Sequence, residues 1–315
     1  MTSLFDKLDK ESNQSLLRVL AYGMPKAKKT WWALAAAEAG YNVLDLDGDD
    51  GWQIGKYLSE AAQKRIEVIE ARDRLGQPVF APFVVQALKR LKFGWNPASN
   101  KFDNLGREDG TLQIDLREFT QNDVLILDSW TAFVQSLYVQ YAKEQDIDLT
   151  DATKTDWDGY NWCGALALWT ADVLVSLPCH VIVIAHGTVY EKRSKDGKSV
   201  ISQKRQIKST SGPNAMQLPA KFSDILYFYP KGSAFKIDVK VEEEADGGSR
   251  SVPPGTYNWD DLSFERLIEY SNIPKPPADH PKFDFSKTVS TAKPKLGTKP
   301  AVINPAAKPS VSLRR

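Results

Sequence analysis

The stretch Arg18-Val-Leu-Ala-Tyr-Gly-Met-Pro-Lys-Ala-Lys-Lys-Thr30 decides the fold. Its first residues, apolar and β-prone, predict a buried strand over Arg18 to Tyr22. The alanine-rich run from Trp31 to Ala39, closed by Gly40, predicts a helix. A strand running through a glycine-containing loop into a helix is the setting of a phosphate-binding loop. That loop asks for Gly-x-x-x-x-Gly-Lys-Ser/Thr, and Gly23, Lys29 and Thr30 stand at the required spacing, with Lys28 in the place of the second glycine. Backbone N–H groups of such a loop hold phosphate oxygens, the lysine reaches the β- and γ-phosphates, and the hydroxyl meets Mg²⁺. A side chain in the left-handed conformation that this glycine adopts costs roughly 1–2 kcal/mol, so Lys28 is expected to bend the loop.

Further apolar runs extend the pattern. Tyr41 to Asp47, Asp123 to Asp128 and His180 to Ala185 predict three more strands, each rising into a polar or glycine-containing turn. Strands alternating with helices predict an α/β fold, a mainly parallel sheet with helices on both faces and the ligand crevice at the strands' carboxyl ends. Asp224 to Tyr229 and Phe235 to Val241 predict a C-terminal β-hairpin, and Asp-Gly-Gly-Ser at 246–249 reads as a hairpin-type turn. Residues 80–118 read as an irregular insertion, and residues 1–272 as one domain.

The net charge of +1 over 315 residues conceals a division. Ile273 to Arg315 carry nine Lys/Arg and two Asp/Glu together with eight of the eighteen prolines, while the body before them has a net charge of −6. The segment from about Pro274 predicts a disordered basic tail, either solubilising or docking on nucleic acid or a partner. Two cysteines and three histidines give neither a disulfide framework nor a metal-ligand cluster, so Cys163 and Cys179 read as buried free thiols. No run of about 18 apolar residues occurs, and the first residues lack the apolar stretch of a signal peptide, so a cytoplasmic protein away from membranes is expected.

Several residues have the right chemistry for the rim of this sheet. The strand ending in Asp128-Ser129 has the form of a Walker B strand, whose carboxylate orders the Mg²⁺ shell opposite Thr30. Asp47, Asp49 and Asp50 follow the second strand, where one carboxylate can polarise a water; a solvated acidic turn is the plainer alternative. A calcium loop fails, since Asp50 and Lys56 stand at its glycine and glutamate positions. His186 ends the fourth strand, and residues 192–208 then hold seven Lys/Arg and one Asp, a composition suited to a phosphodiester backbone as well as to a solvated loop. Trp162, Leu166, Trp169 and Val173 lie at helical spacing and read as core, and of Trp31 and Trp32 at least one must pack on the sheet.

Taken in chain order, these segments resemble the ATPase core of the RecA family, most closely the compact phage RecA-like ATPases linked to single-strand annealing. The resemblance spans about residues 16–230 and is carried by Arg18-Val-Leu-Ala-Tyr-Gly, Lys29-Thr30, Leu46-Asp-Gly-Asp49, Leu125-Ile-Leu-Asp-Ser129, Val183-Ile-Ala-His186 and Thr210-Ser-Gly-Pro-Asn-Ala-Met216. It implies a nucleotide site over Gly23, Met24, Pro25, Lys26, Ala27, Lys28, Lys29 and Thr30, with ATP as ligand and Mg²⁺ at Thr30 and Asp128. Asp49 falls where the family has a water-activating glutamate, and His186 where a polar residue senses the γ-phosphate. Single-stranded DNA would meet Lys192, Arg193, Lys204, Arg205 and Lys208. The resemblance further implies a homo-oligomer, a DNA-dependent ATPase of phage recombination or replication that pairs or anneals strands, and a single-strand binding protein as a partner. A non-hydrolysing nucleotide-binding scaffold or loader, and a helicase or packaging motor on the same core, stand as alternatives.

Overall fold

The computed structural model describes residues 16–96, 101–103, 112–148, 157–193, 200–208, 217–239 and 247–283, with backbone alone at 101–103, 190–193 and 200–204. The chain begins with β1 (Arg18–Gly23), α1 (Lys29–Leu34), β2 (Asn42–Asp47), α2 (Glu60–Gln63), β3 (Ile66–Glu70) and α3 (Phe80–Arg90). A small antiparallel sheet follows, made of β4 (Lys92–Asn96), β5 (Lys101–Asp103) and β6 (Leu112–Asp115). Next come β7 (Asp123–Asp128), α4 (Trp130–Glu144), α5 (Trp157–Ser176), β8 (His180–Arg193) and β9 (Val200–Ile207). The C-terminal part holds β10 (Asp224–Lys231), β11 (Ala234–Asp238), β12 (Gly248–Ser249), β13 (Thr256–Asn258) and α6 (Phe264–Tyr270).

The molecule is a mixed α/β protein whose central sheet is mainly parallel. Its strand order is β13-β11-β10-β1-β8-β7-β2-β3, parallel from β10 to β3, with β9 paired to β8 and β12 to β10. Every residue of β2 and β7 is buried, because helices cover both faces. On one face α3, α4 and α5 pack over Leu44, Leu46, Leu125 and Leu127. On the other, α1 and α6 pack over Val43, Val124, Ile126 and Ile182. Cys163 and Cys179 are buried free thiols. Trp32 is fully buried, with its indole N–H donated to Leu262 O at 2.7 Å, while Trp31 is half-buried.

Strand register sets the site. Gly23 is level with His186, and Asp47 with Asp128, so the carboxyl ends of β1, β8, β7 and β2 form one rim. The β8 strand lies between β1 and β7.

Five expectations need correction. The described residues of the stretch 80–118 are largely regular: they open with α3 and continue into the small sheet. The capping signal for α3 is remote, since Asp73 Oδ1 accepts from Val79 N at 2.7 Å and Phe80 N at 2.9 Å, and Leu91 at φ 59° ends the helix without glycine. The fourth strand does not stop at Ala185 but runs on to Arg193, where the partner strand β9 satisfies its backbone. Of the expected turn at 246–249, Gly248 and Ser249 form a short strand antiparallel to β10, and Asp246 lies outside the described residues. The Trp162, Leu166, Trp169 and Val173 stripe is only half-buried; Cys163, Ala167, Ala171 and Leu174 form the buried face of α5.

The fifth correction concerns the tail, whose residues 274–283 lie on the body. Tyr41 Oη donates to Pro274 O at 3.4 Å, Asn42 Nδ2 to Pro281 O at 3.1 Å and Arg65 to His280 O at 3.2 Å, and Phe283 sits 5.0 Å from Phe119, ring to ring. Within this segment His280 N donates to Pro277 O at 2.9 Å, and the prolines leave few N–H groups to compete, so the carbonyls of Pro274, His280 and Pro281 remain available to body side chains. Residues 284–315 lie outside the described residues.

Candidate functional site

The loop after β1 is shaped by positive φ angles. Gly23 has φ 145°, and a Cβ there would stand 2.0 Å from Phe228 O, so only glycine fits. Lys26 and Lys28 follow at φ 61° and 64°. The left-handed conformation expected at the missing glycine is therefore adopted by Lys28 itself. Its ammonium lies 4.6 Å from the Phe235 ring, 4.7 Å from Trp31 and 5.3 Å from Trp259. Cation–π attraction of about 0.5–1 kcal/mol at exposed sites, and more where water is excluded, offsets the backbone strain. The same contacts draw the Lys28 side chain toward the aromatic trio.

Lys29 opens α1 and is 6% exposed. Its ammonium donates to Met24 O at 2.8 Å and Gly23 O at 3.3 Å. Burial draws it down to about 8, against the pull of the Asp128 and Asp49 carboxylates. One residue on, Thr30 Oγ1 donates to Asp128 Oδ2 at 2.6 Å. Gly51 backs this pair: a Cβ there would lie 2.7 Å from Asp128 Oδ2 and 2.9 Å from Thr30 Oγ1.

The turn after β2 is built by Asp47, whose carboxylate accepts from the backbone N–H groups of Asp49, Asp50 and Gly51 at 3.1–3.2 Å. That turn presents Asp49 to the rim. Asp49 Oδ2 accepts from Ser129 Oγ at 2.6 Å and lies 3.1 Å from His186 Nε2. The hydrogen bond from His186 holds the Asp49 carboxyl below its usual value, and Ser129 and Lys29 act in the same direction against burial. Asp128 is pushed up to about 7, first by burial and further by the charges of Asp47 and Asp49, with the Thr30 hydrogen bond opposing. Asp45, two residues before Asp47 on the same face of β2, is raised by burial and by the charges of Asp128 and Asp47.

These residues meet in one cavity of about 550 Å³, lined by Pro25 to Thr30, Asp49, Asp128 and His186 among others. Gly23 and Met24, expected in the nucleotide site, are not among its lining residues; their carbonyls accept from Lys29. Arg72, Gly51 and Trp31 were not anticipated as part of the site. Arg72 reaches from beyond β3 to Asp50, to Glu70 at 3.2 Å and to Asp47 at 3.9 Å, and no local motif marks it.

Thr30 Oγ1 and Asp128 Oδ2 offer two hard oxygens side by side. Among the described residues, no three His, Cys, Asp or Glu side chains converge as a ligand set. Two oxygens next to a lysine-lined cavity fit a cation such as Mg²⁺, which keeps several waters and takes its other ligands from a bound phosphate.

The basic segment is an extension of the sheet. The β8–β9 hairpin pairs Gly187 with Ile207 and Val189 with Arg205, and Lys208 N donates to His186 O at 2.8 Å. Lys208 is exposed at the base of the hairpin. Arg205 faces the body: its guanidinium lies 5.2 Å from the Tyr227 ring and 5.6 Å from Tyr229, and 4.0 Å from the Asp238 carboxylate. Lys192, Arg193 and Lys204 lie on the hairpin backbone, their side chains outside the described residues, as is the segment 210–216. Among the described residues, no helix is long and apolar enough to cross a membrane.

No protein-family model matches this chain, and no curated protein matches it.

Proposed function

We propose that the chain is a RecA-like P-loop ATPase that binds single-stranded DNA and pairs or anneals strands in phage recombination or replication. The observation that carries the reading is the junction of Lys29, the Thr30–Asp128 pair and the Asp49–His186 pair in one cavity at the carboxyl rim of a parallel sheet. Loop lysines on one side and acidic side chains on the other match a triphosphate that carries a metal.

In this reading Lys29 binds the β- and γ-phosphate oxygens, exchanging its carbonyl partners for charged ones. Thr30 and Asp128 would hold Mg²⁺, which neutralises developing charge on the transferred phosphoryl group when bound. Asp49 orients the attacking water and accepts its proton. His186 positions Asp49 and, through its backbone bond to Lys208, joins the site to the basic hairpin.

One observation favours a second reading, a nucleotide-binding scaffold without useful hydrolysis. Asp49 Oδ2 is already engaged by Ser129 and His186, and a carboxylate held below its usual value is a weaker base.

The deciding experiment is ATP hydrolysis with Mg²⁺, with and without single-stranded DNA, on the wild type and Lys29→Ala. Turnover that rises with DNA and vanishes in the variant is expected. Nucleotide binding without turnover in the wild type points to the scaffold, and unchanged ATP affinity in Lys29→Ala refutes the site.

A further inference from the structure

A second cavity, of about 340 Å³, opens on the α4–α5 face of the sheet. Its walls are mostly apolar, with Val134, Val139, Tyr138 and Tyr160, and Lys208 is the cation among the described lining residues. The Tyr138 and Tyr160 rings are stacked, 5.2 Å apart and inclined by 25°. Beyond them Trp157, 72% exposed, lies 6.3 Å from Tyr160. The aromatic side chains thus step from solvent into the cavity.

The cavity also touches the machinery of the rim. Thr131, part of its lining, accepts from His186 N at 2.9 Å, and Lys208 N donates to His186 O at 2.8 Å. Both backbone groups of the residue whose ring meets Asp49 are therefore held by cavity residues.

We propose that this cavity receives an unstacked nucleobase of a bound single strand, with Lys208 on the adjacent phosphate. The inference rests on the DNA-binding reading above and names the place where the strand is held. Charge complementarity identifies the occupant: Lys208, exposed at the base of the β8–β9 hairpin, lines the cavity, and the sequence between residues 192 and 208 carries seven Lys/Arg and one Asp. Stacked aromatic rings with a cation beside them suit a single strand without regard to sequence, since every base has a π face and the lysine meets its phosphate. A base seated against Thr131 and Lys208 bears on both ends of His186, so occupancy is communicated to Asp49.

The test uses the full chain and two oligonucleotides of equal length, one of deoxythymidine and one abasic, in fluorescence anisotropy at fixed salt. The wild type is expected to prefer the strand with bases. Tyr160→Leu is expected to weaken binding of that strand by roughly ten-fold or more and to lose the preference, whereas Tyr160→Phe keeps it. Trp157→Ala, at an exposed position where folding is not at stake, is expected to reduce the preference as well. Equal preference in all four proteins, or a wild type that binds both strands equally, overturns the base site while DNA binding stands. A wild type that binds neither strand overturns both readings. Loss of self-association in Tyr160→Leu, followed by sedimentation in the same samples, with DNA affinity intact, would seat a second copy of the chain in the cavity and overturn the assignment.

Discussion

The imidazole of His186 and the carboxylate of Asp49 meet at 3.1 Å across the end of the strand that separates theirs. The two residues are 137 positions apart, and the sheet order alone brings them together. Because Ser129 donates to the same oxygen, Asp49 is held at Oδ2 from two sides where it lines the cavity.

This relationship predicts a graded loss of activity. Asp49→Asn removes the proposed base and is expected to lower turnover by about 10²-fold or more, with ATP affinity retained. His186→Ala is expected to cost less in turnover and to let the Asp49 carboxyl rise toward its usual value. A carboxylate held low stays ionised until pH falls below the ordinary aspartate range, so the pair stabilises above that range and is lost as pH falls through the depressed value. Carboxyl NMR titration of Asp49 in wild type and His186→Ala checks this, and coincident curves would remove His186 from its positioning role.

Lys28 yields a prediction about stability. Lys28→Ala keeps the left-handed backbone and loses the three ring contacts, so it is expected to destabilise by about 1–2 kcal/mol. Lys28→Gly loses the same contacts but relieves the backbone, and should recover about 1 kcal/mol relative to the alanine variant. Urea unfolding midpoints separate the two; a glycine variant no better than alanine would mean that the residue is not left-handed in solution.

Gly51 offers a steric probe of the Thr30–Asp128 pair. Its φ of −74° admits any residue, so Gly51→Ala acts only through the new methyl group, which meets Asp128 Oδ2 at 2.7 Å and Thr30 Oγ1 at 2.9 Å. Overpacking of this kind costs typically 1–3 kcal/mol. The expected outcome is a modest fall in thermal midpoint with a larger fall in Mg²⁺-dependent turnover than in ATP affinity. Titration of turnover against Mg²⁺ for the two proteins measures it, and superimposable curves would show that the pair takes no part in holding the metal.

The α/β class and the strands of the rim could be read in the sequence because their signals are local. Apolar runs mark β1, β2 and β7, Gly23 and Asp128 stand at strand ends where the chain turns, and Lys29 opens the helix that follows. What escaped depends on residues far apart in the chain. The cap of α3 comes from Asp73, Arg72 enters the site from beyond an unanticipated strand, and the tail is pinned by Asn42 and Arg65. The aromatic seat of Lys28 draws on Phe235 and Trp259, more than 200 positions away, so the sequence shows the missing glycine without its compensation.

Asp45 carries the last prediction. It is fully buried on the face covered by α1, neither carboxyl oxygen has a hydrogen-bond partner, and Asp47 and Asp128 raise it further beyond the effect of burial. The folded chain holds this proton to higher pH than the unfolded chain does. The stability that Asp45 contributes is therefore present below the ordinary aspartate value of about 3.9 and is lost as pH rises through the raised value. Asp45→Asn has no proton to lose, so it should match the wild type near pH 4 and exceed it at pH 8 by on the order of 1–3 kcal/mol. Unfolding free energies at the two pH values test the sign; a constant difference would mean that Asp45 does not titrate between them. A variant more stable yet slower would fit a carboxylate kept, at a cost to the fold, for the field it places beneath Thr30 and Asp128.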